Sequence, residues 1–509
     1  MNYLMGIDIG TSSVKTILID ERGQMVASET ESYELSHPFP GWAEQNPDTW
    51  WTATIKTFEK VLNHINPQKL AGIGLSGQMH GSVFLNKDME VLRPAILWCD
   101  QRTSEECDWI TDHVDKDVLQ QRVGNKALTG FTAPKILWVK KHEPHLYEQI
   151  KYVLLPKDYI RYKLTGQLAT EVSDASGTLL FDVSKRTWSK EMLQQLDIPE
   201  NWMPPVFESQ IPSTRLTKEL SEKFGLKDNL QVVGGGGDQA AGAVGTGVVE
   251  PGILSVSLGT SGVVFAFSEE FLIDEENRLH SFCHAVNNKW HTMGVMLSAA
   301  ESLRWWMNNV GQEEQEVGRK TKTDAYELMC AAADDASVGS NGLIFLPYLM
   351  GERTPYADPD ARGCFIGLTT RHTKAMMTRS ILEGVAFGLR DSVEIMRELN
   401  IPIEQIRVIG GGAKSKVWRQ ILADVIGAEV VTLENVDGPA FGVALLAGVG
   451  AGLYNDIESA CEKLVKVVDV MKPNQENVKI YEDYYTLYKQ LYAKFQTTFQ
   501  ELSRLEKKY

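Results

Sequence analysis

The stretch that decides the fold lies just before the midpoint of the chain and reads Gly234-Gly235-Gly236-Gly237-Asp238-Gln239-Ala240-Ala241-Gly242-Ala243-Val244-Gly245. An apolar run typical of a short strand precedes it, at residues 230–233, and the small residues after Asp238 favour a closely packed helix. Four consecutive glycines leave the backbone bare, so another molecule can approach the main chain. The pattern predicts an acid presented at the floor of a cleft. The alternative is a flexible linker, but linkers carry serine and charge rather than alanine and valine.

Length and composition predict a soluble globular protein of two or more domains, since 509 residues exceed one ordinary core. Hydrophobic residues make up 43% of the chain and charged residues 23%. The net charge of −16 argues against nucleic acid or an anionic membrane as a partner. The six cysteines form no CxxC pair, as is typical of a reducing compartment. No signal peptide is apparent, and the longest uncharged run, residues 438–454, is shorter than the roughly 20 apolar residues of a membrane span. We therefore expect a cytoplasmic protein.

A Gly-Thr-Ser turn between two strands occurs twice, once at the start of each half of the chain. The first turn, Gly10-Thr11-Ser12, follows a strand that ends in Asp8, and the second is Gly259-Thr260-Ser261. Such a turn can point amides and hydroxyls at a phosphate while the acid orders a hydrated Mg²⁺. Alone, the first copy could be an ordinary hairpin that Asp8 caps. Its recurrence predicts two similar α/β domains that grip one nucleotide from both sides of a cleft.

Residues 72–77 match the dinucleotide-binding pattern G-x-G-x-x-G, which requires a helix to begin inside the pattern. Residues 82–85 are instead typical of another strand, so the dinucleotide interpretation is rejected. The strand delivers Met79 and His80 to a loop. His80 is either a structural histidine or a donor of a hydrogen bond to a polar ligand. Farther on, Asp100 and Arg102 follow an apolar strand, where a buried ion pair is the simplest explanation.

In the second half, an apolar strand at residues 403–409 is followed by Gly410-Gly411-Gly412-Ala413-Lys414-Ser415 and then by a helix from residue 418. A glycine turn between strand and helix is typical of a nucleotide site, although no P-loop pattern occurs in the chain. A helix is also predicted over residues 374–396. The C-terminal residues 484–502 predict a long amphipathic helix, which we expect to pack on the body; a dimer face is the alternative.

These segments together resemble the FGGY carbohydrate kinases over nearly the whole chain. Residues 130–142 fit the first family signature, and residues 363–383 fit the second with one departure, Met376, where a polar residue is usual. Segments 76–81, 98–103 and 173–178 are most similar to family members that phosphorylate D-xylulose. Gln239 is a second departure, since the resemblance leads one to expect asparagine directly after the acid at position 238.

The resemblance implies two actin-like, ribonuclease-H-like α/β domains that close over ATP and a sugar, divided here into residues 1–246 and 247–509. It implies that Asp238 is the catalytic base and that Asp8 lies near Mg²⁺. The residues implied to bind the sugar are Met79, His80, Gln239, Asp100 and Arg102. Those implied to bind the nucleotide are Gly10, Thr11, Ser12, Lys15, Gly259, Thr260, Gly411, Gly412 and Ser415.

The implied chemistry is sound, because a sugar hydroxyl is a weak nucleophile that must be aligned and relieved of its proton during phosphoryl transfer. The implied substrates are ATP and D-xylulose, with a monomer or homodimer as the assembly. The alternatives are a kinase for another ketose, a polyol such as glycerol, or gluconate, and an actin-like ATPase switch that has no sugar site.

Overall fold

The structure, a computed structural model, describes residues 1–435 and 437–509 and contains two seven-stranded sheets, one in each half of the chain. The strands of the first half are β1 Tyr3–Ile9, β2 Ser13–Asp20, β3 Met25–Ser32, β4 Glu44–Gln45, β5 Leu70–Gly77, β6 Val83–Leu85, β7 Ala95–Ile96, β8 Tyr152–Leu154, β9 Thr170–Glu171, β10 Phe181–Asp182, β11 Thr187–Trp188, β12 Val206–Phe207, β13 Pro212–Arg215, β14 Gln231–Val233 and β15 Gly236–Gly237. Those of the second half are β16 Gly252–Leu258, β17 Gly262–Ser268, β18 His280–Cys283, β19 Trp290–Met296, β20 Ile344–Leu346, β21 Cys364–Ile366, β22 Ile403–Ile409, β23 Glu429–Leu433 and β24 Val467–Met471.

Helices connect and cover these strands. In the first half they are α1 Pro47–Leu62, α2 Ser104–His113, α3 Thr132–His142, α4 Pro144–Tyr147, α5 Pro156–Thr165, α6 Val172–Ser176, α7 Lys190–Gln195, α8 Lys218–Phe224 and α9 Asp238–Gly245. In the second half they are α10 Ala300–Val310, α11 Gln312–Thr321, α12 Ala325–Asp334, α13 Lys374–Glu398, α14 Lys416–Ile426, α15 Gly438–Gly450, α16 Ile457–Leu464 and α17 Gln475–Lys508. One π-helical turn, Val118–Val123, precedes α3.

The two sheets repeat one strand arrangement. The first has the order β13-β14-β5-β1-β2-β3, with β15 also paired to β5, and the second has the order β18-β19-β17-β16-β22-β23-β24. In each, the leading strand pairs antiparallel with the next strand and parallel with a later one: β1 with β2 and β5, and β16 with β17 and β22. The repeat confirms the predicted pair of similar α/β halves, and both Gly-Thr-Ser turns join the leading strand to its antiparallel partner.

The local predictions agree closely with these bounds. The rejected dinucleotide pattern lies in β5, which contains no helix, and the strand predicted after it is β6. The glycine turn near residue 411 joins β22 to α14 through a single 3₁₀ turn, Gly411–Lys414. The C-terminal helix α17 packs on the body, as expected. Of the apolar row at residues 484, 488, 491, 495, 499 and 502 that predicted it, Tyr488, Leu491 and Phe499 are buried, whereas Leu502 is exposed; Tyr481 and Tyr485 complete the buried face.

Helices α9 and α15 pack on each other and on the first sheet. Both are built from small and apolar residues, and α15 also packs on β1 and β5, although it follows β23 of the second half. One buried cluster joins residues of all these elements, including Ile17 from the first sheet and Phe265 from the second. Helix α9 ends at Gly245, next to the predicted domain boundary at 246/247. The boundary itself stays a prediction.

Within residues 1–435 and 437–509, no helix combines the length and the apolar character needed to cross a bilayer.

Candidate functional site

The glycine run before Asp238 is needed because the backbone passes very close to its neighbours. Gly236 and Gly237 form β15, which pairs in parallel with the end of β5. Gly235 has a φ of 76°, and a Cβ there would overlap the carbonyl oxygen of Leu75. A Cβ on Gly237 would come within 2.9 Å of Met79 Cγ. The run therefore brings Asp238 directly beside the loop that follows β5.

Asp238 is the first residue of α9 and keeps some solvent exposure, as a cleft-facing acid requires. Desolvation of its carboxyl, and to a lesser degree the charge of Asp8, raise the pKa of Asp238 to about 7. Hydrogen bonding of Gln239 to the carboxylate, first through its backbone N–H and then through its side chain, opposes this rise in the pKa of Asp238. An acid with a pKa near the ambient pH can exchange a proton with a substrate in either direction.

Asp8 lies on β1, opposite Ser76 of β5, and Gly236 pairs with the same Ser76 from the other side. Since neighbouring strands lie about 4.8 Å apart, the Cα atoms of Asp8 and Gly236 are separated by roughly 10 Å. Burial raises the pKa of Asp8 to about 6. Its Oδ1 is buried and has no hydrogen-bond partner in the described part of the chain. Asp8 on β1 and Asp238 just after β15 thus lie on the two sides of β5, close enough for the charge of Asp8 to raise the pKa of Asp238.

An unsatisfied carboxylate oxygen at this place fits a hydrated Mg²⁺. Magnesium is usually held by one or two carboxylates together with waters and substrate phosphates. Among residues 1–435 and 437–509 no group of three or more metal-ligating side chains occurs. Asp8 supplies one carboxylate of the usual kind, so a metal here would need the phosphates of a nucleotide to complete its shell.

The first Gly-Thr-Ser turn is held rigidly by side chains around it. Gly10 N donates to Ser13 O at 2.9 Å, and the Thr11 hydroxyl lies 3.2 Å from Gln78 Oε1 and accepts from Trp98 Nε1 at 2.9 Å. In the described part of the chain, the backbone N–H groups of Thr11 and Ser12 donate to no acceptor. A preformed turn with free amides suits an anionic ligand.

Lys15, which follows the first turn, forms an ion pair with Asp437 at the start of α15. Its ammonium group therefore already has an anionic partner. A phosphate would have to share Lys15 with Asp437.

Met79 is buried, whereas His80 is partly exposed and has a left-handed backbone, φ 68°. The Nδ1 of His80 lies 2.5 Å from the carbonyl oxygen of Gly177, which can only accept, so Nδ1 carries the hydrogen. Burial lowers the pKa of His80 to about 3, so the ring is neutral. Nε2 is consequently an acceptor. The sequence allowed either a structural histidine or a donor to a ligand; the contact with Gly177 uses the ring hydrogen within the protein and leaves Nε2 as an acceptor for a ligand.

Aromatic and cationic groups complete the surroundings of His80. Phe131 packs edge-on against the ring with centroids 4.8 Å apart, and Phe282 of the second half lies at 6.3 Å. The buried Lys135 donates to the carbonyl oxygen of His80 at 2.8 Å and fixes its strained backbone. Sequence reasoning assigned no role to Lys135, although the residue stands inside the first family signature.

Asp100 and Arg102 form the buried ion pair that was the simpler interpretation of their sequence. Arg102 Nη2 lies 2.7 Å from Asp100 Oδ2, which also accepts from Ala43 N at 2.6 Å, and both side chains are fully buried. The Arg102 guanidinium stacks 3.5 Å above the ring of Trp42. Their assignment to the sugar site stays a prediction, because these contacts already occupy both groups.

The second Gly-Thr-Ser turn packs on the glycine turn after β22. A Cβ on Gly410 would come within 2.8 Å of the backbone of Leu258, just before Gly259. Next to this contact lies a cavity of about 620 Å³ whose lining includes Thr260, Gly411, Gly412 and Ser415. The structure therefore brings Thr260 together with three predicted nucleotide residues that lie about 150 positions later in the sequence, Gly411, Gly412 and Ser415. The side chain of Ser415 also caps α14 by accepting from Trp418 N at 3.2 Å.

The cavity has a second wall that the sequence did not reveal. It comes from α10 and α12 and includes Arg304, Tyr326, Glu327 and Cys330. The volume lies within the range of small-molecule and cofactor sites, about 300–1,000 Å³. These helices carry no motif, so only their packing against the glycine turns could have identified them.

Comparison with known proteins agrees with this geometry. The model of the FGGY family of carbohydrate kinases matches residues 3–245 with its N-terminal domain and residues 254–451 with its C-terminal domain. The chain is 45% identical over 446 residues to a xylulose kinase of Klebsiella pneumoniae, covering 87% of this chain and 89% of that one. It is 38% identical over 495 residues to a xylulose kinase of Bacillus subtilis, covering 97% of each chain.

A crystal structure of a xyloylose kinase from Brucella ovis has a similar fold. The TM-score is 0.90 at 36% identity, and the match covers 98% of this chain and 100% of that one.

Proposed function

Because the chain belongs to the FGGY family of carbohydrate kinases, we propose that this enzyme transfers the γ-phosphoryl group of ATP to D-xylulose, giving D-xylulose 5-phosphate and ADP. The observation that carries the proposal is an acid with a pKa of about 7, Asp238, beside the Met79–His80 loop. The similarity to curated xylulose kinases supports the choice of sugar.

Asp238 is the general base in this proposal. As the sugar hydroxyl attacks the γ-phosphorus, its proton passes to the Asp238 carboxylate, and the bond from that phosphorus to the β–γ bridging oxygen breaks. The neutral His80 accepts a hydrogen bond from a sugar hydroxyl at Nε2, and Met79 packs against the same substrate. Gln239, Asp100 and Arg102 complete the proposed sugar site.

The nucleotide lies between the two Gly-Thr-Ser turns. Amides and hydroxyls of Gly10, Thr11 and Ser12 on one side, and of Gly259 and Thr260 on the other, offset the negative charge of the phosphates. The adenosine occupies the cavity beside Gly411, Gly412 and Ser415, and Lys15 contributes a cation shared with Asp437.

Asp8 is the residue that would hold Mg²⁺. The metal, when bound, neutralises part of the phosphate charge and orients the γ-phosphoryl group. Asp8 would accept hydrogen bonds from the waters of the metal, whereas Asp238 takes the proton of the sugar hydroxyl, so the two carboxylates have separate roles.

Three organisational features belong to the same proposal. We divide the chain into domains at residues 246/247, we assign the enzyme to the cytoplasm, and we expect a monomer or homodimer. Limited proteolysis, fractionation of the source cells and analytical ultracentrifugation test these three points, respectively.

The function is tested by a coupled assay of ADP release with MgATP and a panel of D-xylulose, D-ribulose, glycerol and gluconate. The expected result is the highest kcat/KM with D-xylulose and a product phosphorylated at C5. A higher kcat/KM with glycerol or gluconate would overturn the choice of substrate. ADP release that does not depend on any sugar would indicate an ATPase switch.

A further inference from the structure

The short helix α6 contacts three parts of the candidate site. At its start, the hydroxyl of Ser173 accepts from Gly237 N at 3.1 Å. Just after its end, the carbonyl oxygen of Gly177 accepts from His80 Nδ1 at 2.5 Å. Between them, the hydroxyl of Ser176 accepts from Cys283 N on β18 at 3.1 Å. Helix α6 and the residue after it thus contact Gly237, which precedes Asp238, as well as His80 and Cys283 of the second half.

The orientation of the Ser173 hydroxyl is fixed by Glu171. Ser173 Oγ donates to Glu171 Oε1 at 2.9 Å, and Ser173 N donates to Glu171 Oε2 at 2.7 Å. A hydroxyl has one hydrogen to donate, and here the carboxylate takes it. A lone pair of Ser173 Oγ is therefore left for the N–H of Gly237.

Glu171 is itself held in place from several directions. It accepts from Ser209 Oγ at 2.9 Å and lies 3.6 Å from the ammonium of Lys157, and all of these side chains are fully buried. Ser209 also accepts from Gly235 N through its carbonyl oxygen at 2.8 Å. A fully satisfied buried hydrogen-bond network is rigid, so Glu171 holds the Ser173 hydroxyl in a fixed position.

The glycine run at residues 234–237 needs side chains that fix its backbone. Glycine has more accessible backbone conformations than any other residue, so Gly237 does not by itself fix the direction in which the next residue leaves. Arg161 holds the start of the run by donating to Val233 O at 2.7 Å and to Gly234 O at 2.5 Å. Ser173 holds its end, one residue before the acid.

We propose that Ser173 is a positioning residue for Asp238: its hydroxyl, oriented by Glu171, fixes the Gly237 peptide and with it the place of the carboxylate that receives the substrate proton. The inference rests on the proposed function, since it takes Asp238 as the base. Segment 173–178, whose sequence shows only a resemblance to family members, thereby gains a structural role at the site. Small misplacements of a catalytic group are costly, about 100-fold in rate for about 1 Å.

Ser176 provides a matched control on the same helix. It is equally buried, its hydroxyl donates to Val172 O at 2.6 Å, and it accepts one backbone N–H, that of Cys283. Ser173→Ala and Ser176→Ala therefore delete the same group and the same number of hydrogen bonds. They differ in that only Ser173 contacts the residue before Asp238.

The experiment measures kcat, both KM values and Tm for Ser173→Ala, Ser176→Ala and Asp238→Asn in the full-length enzyme with MgATP and D-xylulose. The expected result is a kcat that falls about 10- to 100-fold in Ser173→Ala, with KM for ATP unchanged within about twofold. Ser176→Ala is expected to lose a similar amount of Tm and to keep kcat within about threefold of the wild type. Equal losses of kcat in the two alanine variants, or a wild-type kcat in Ser173→Ala, would overturn the inference.

Two further variants keep the result decisive. If Ser173→Ala does not fold, Ser173→Cys preserves the volume with a weaker acceptor, and a kcat lowered severalfold at unchanged KM is the expected result; a wild-type kcat would overturn the inference. Asp238→Asn separates the two proposals: its full activity would refute Asp238 as the base. An inactive Asp238→Asn together with a fully active Ser173→Ala would refute only the positioning role.

Discussion

A carboxyl group whose pKa is about 7 is half protonated at neutral pH, so Asp238 can act as a base in only part of the molecules. The raised pKa means that the charged, active form accumulates as the pH increases. We predict that kcat/KM for the sugar rises with pH and levels off above about 7. Asp238→Asn should lower kcat by about 10²–10⁴-fold, the usual contribution of general base catalysis. A pH profile of the wild type checks the midpoint, and a flat profile between pH 5 and 8 would contradict it.

The same shift affects stability. A carboxyl whose folded pKa is raised binds its proton more tightly in the folded state, so its stabilising effect is complete below the unfolded pKa of about 3.9. That effect is lost as the pH rises through about 7. Asp238→Asn should therefore increase Tm relative to the wild type, and by more at pH 8 than at pH 5. This gain would show that the loss of activity is not caused by unfolding.

Asp8 is expected to respond to metal rather than to pH alone. Its unpaired Oδ1 fits a hydrated Mg²⁺, so Asp8→Asn should raise the Mg²⁺ concentration needed for half-maximal activity and regain part of kcat in excess metal. Asp238→Asn serves as the control and should not be rescued. The measurement is kcat of both variants across a Mg²⁺ titration. Rescue of Asp238→Asn but not of Asp8→Asn would mean that the two roles are exchanged.

The fixed tautomer of His80 gives a prediction about the sugar. If Nε2 accepts from a sugar hydroxyl, His80→Ala should raise KM for the sugar by the equivalent of about 0.5–1.5 kcal/mol and leave KM for ATP nearly unchanged. Because the ring is neutral above its pKa of about 3, the effect should be the same at pH 6 and pH 8. Initial rates at saturating ATP provide the test. A normal sugar KM with a lower Tm would show that His80 is structural.

At the scale of secondary-structure elements, the crossing of α9 and α15 depends on individual glycines. A Cβ on Gly442 would overlap the carbonyl oxygen of Ala241, whereas a Cβ on Gly242 would meet Pro439 only at an ordinary 3.7 Å. We predict that Gly442→Ala destabilises the enzyme severely, because two backbones must separate. Gly242→Ala, the control, should be neutral or slightly stabilising, since alanine favours a helix. Thermal unfolding of both variants decides, and equal Tm values would contradict the close crossing.

The elements that could be predicted from the sequence are those defined by local patterns. Strand β22 and the two Gly-Thr-Ser turns have clear apolar runs and turn residues, and the run around Gly235 reflects a close backbone approach that only glycine permits. The contacts of α6 could not be predicted, because Ser173 reaches Gly237 across many intervening residues. The cavity wall from α12 was missed for the same reason, since Tyr326 and Cys330 belong to no motif.

Helix α15 shows the limit most clearly. Its uncharged sequence predicted only that it is too short for a membrane span, and the structure places it against β1 and β5 of the first sheet. Small residues there, such as Gly6 and Gly74, already leave room for a helix backbone. The sequence shows these glycines within strands, but no local pattern indicates which helix packs against them.

For the whole molecule, the two halves are joined in two different ways. Around α9 and α15 they share one apolar cluster, which includes residues of both sheets. Around α6 they are joined by hydrogen bonds to the hairpin β18–β19, such as Asn125 Nδ2 to Ser281 O at 2.9 Å and Trp290 Nε1 to Val183 O at 2.8 Å. The second connection lies away from the second Gly-Thr-Ser turn, because Cys283 pairs with Trp290, and Trp290 pairs with Ser268 at the opposite end of β17 from Gly262. We expect the halves to rotate about the two connections and to change the distance between the turns.

This arrangement predicts that ligands close the molecule. A nucleotide held by turns on both halves, with a sugar at Asp238, gains contacts only when the turns approach each other, and closure also excludes water that would hydrolyse ATP. Solution scattering should show a smaller radius of gyration with D-xylulose and a non-hydrolysable ATP analogue together than with either ligand alone. Asp238→Asn should close to the same extent, because the amide preserves the shape of the site. An unchanged scattering curve at demonstrated saturation would contradict the closure, and closure with nucleotide alone would show that the sugar does not control it.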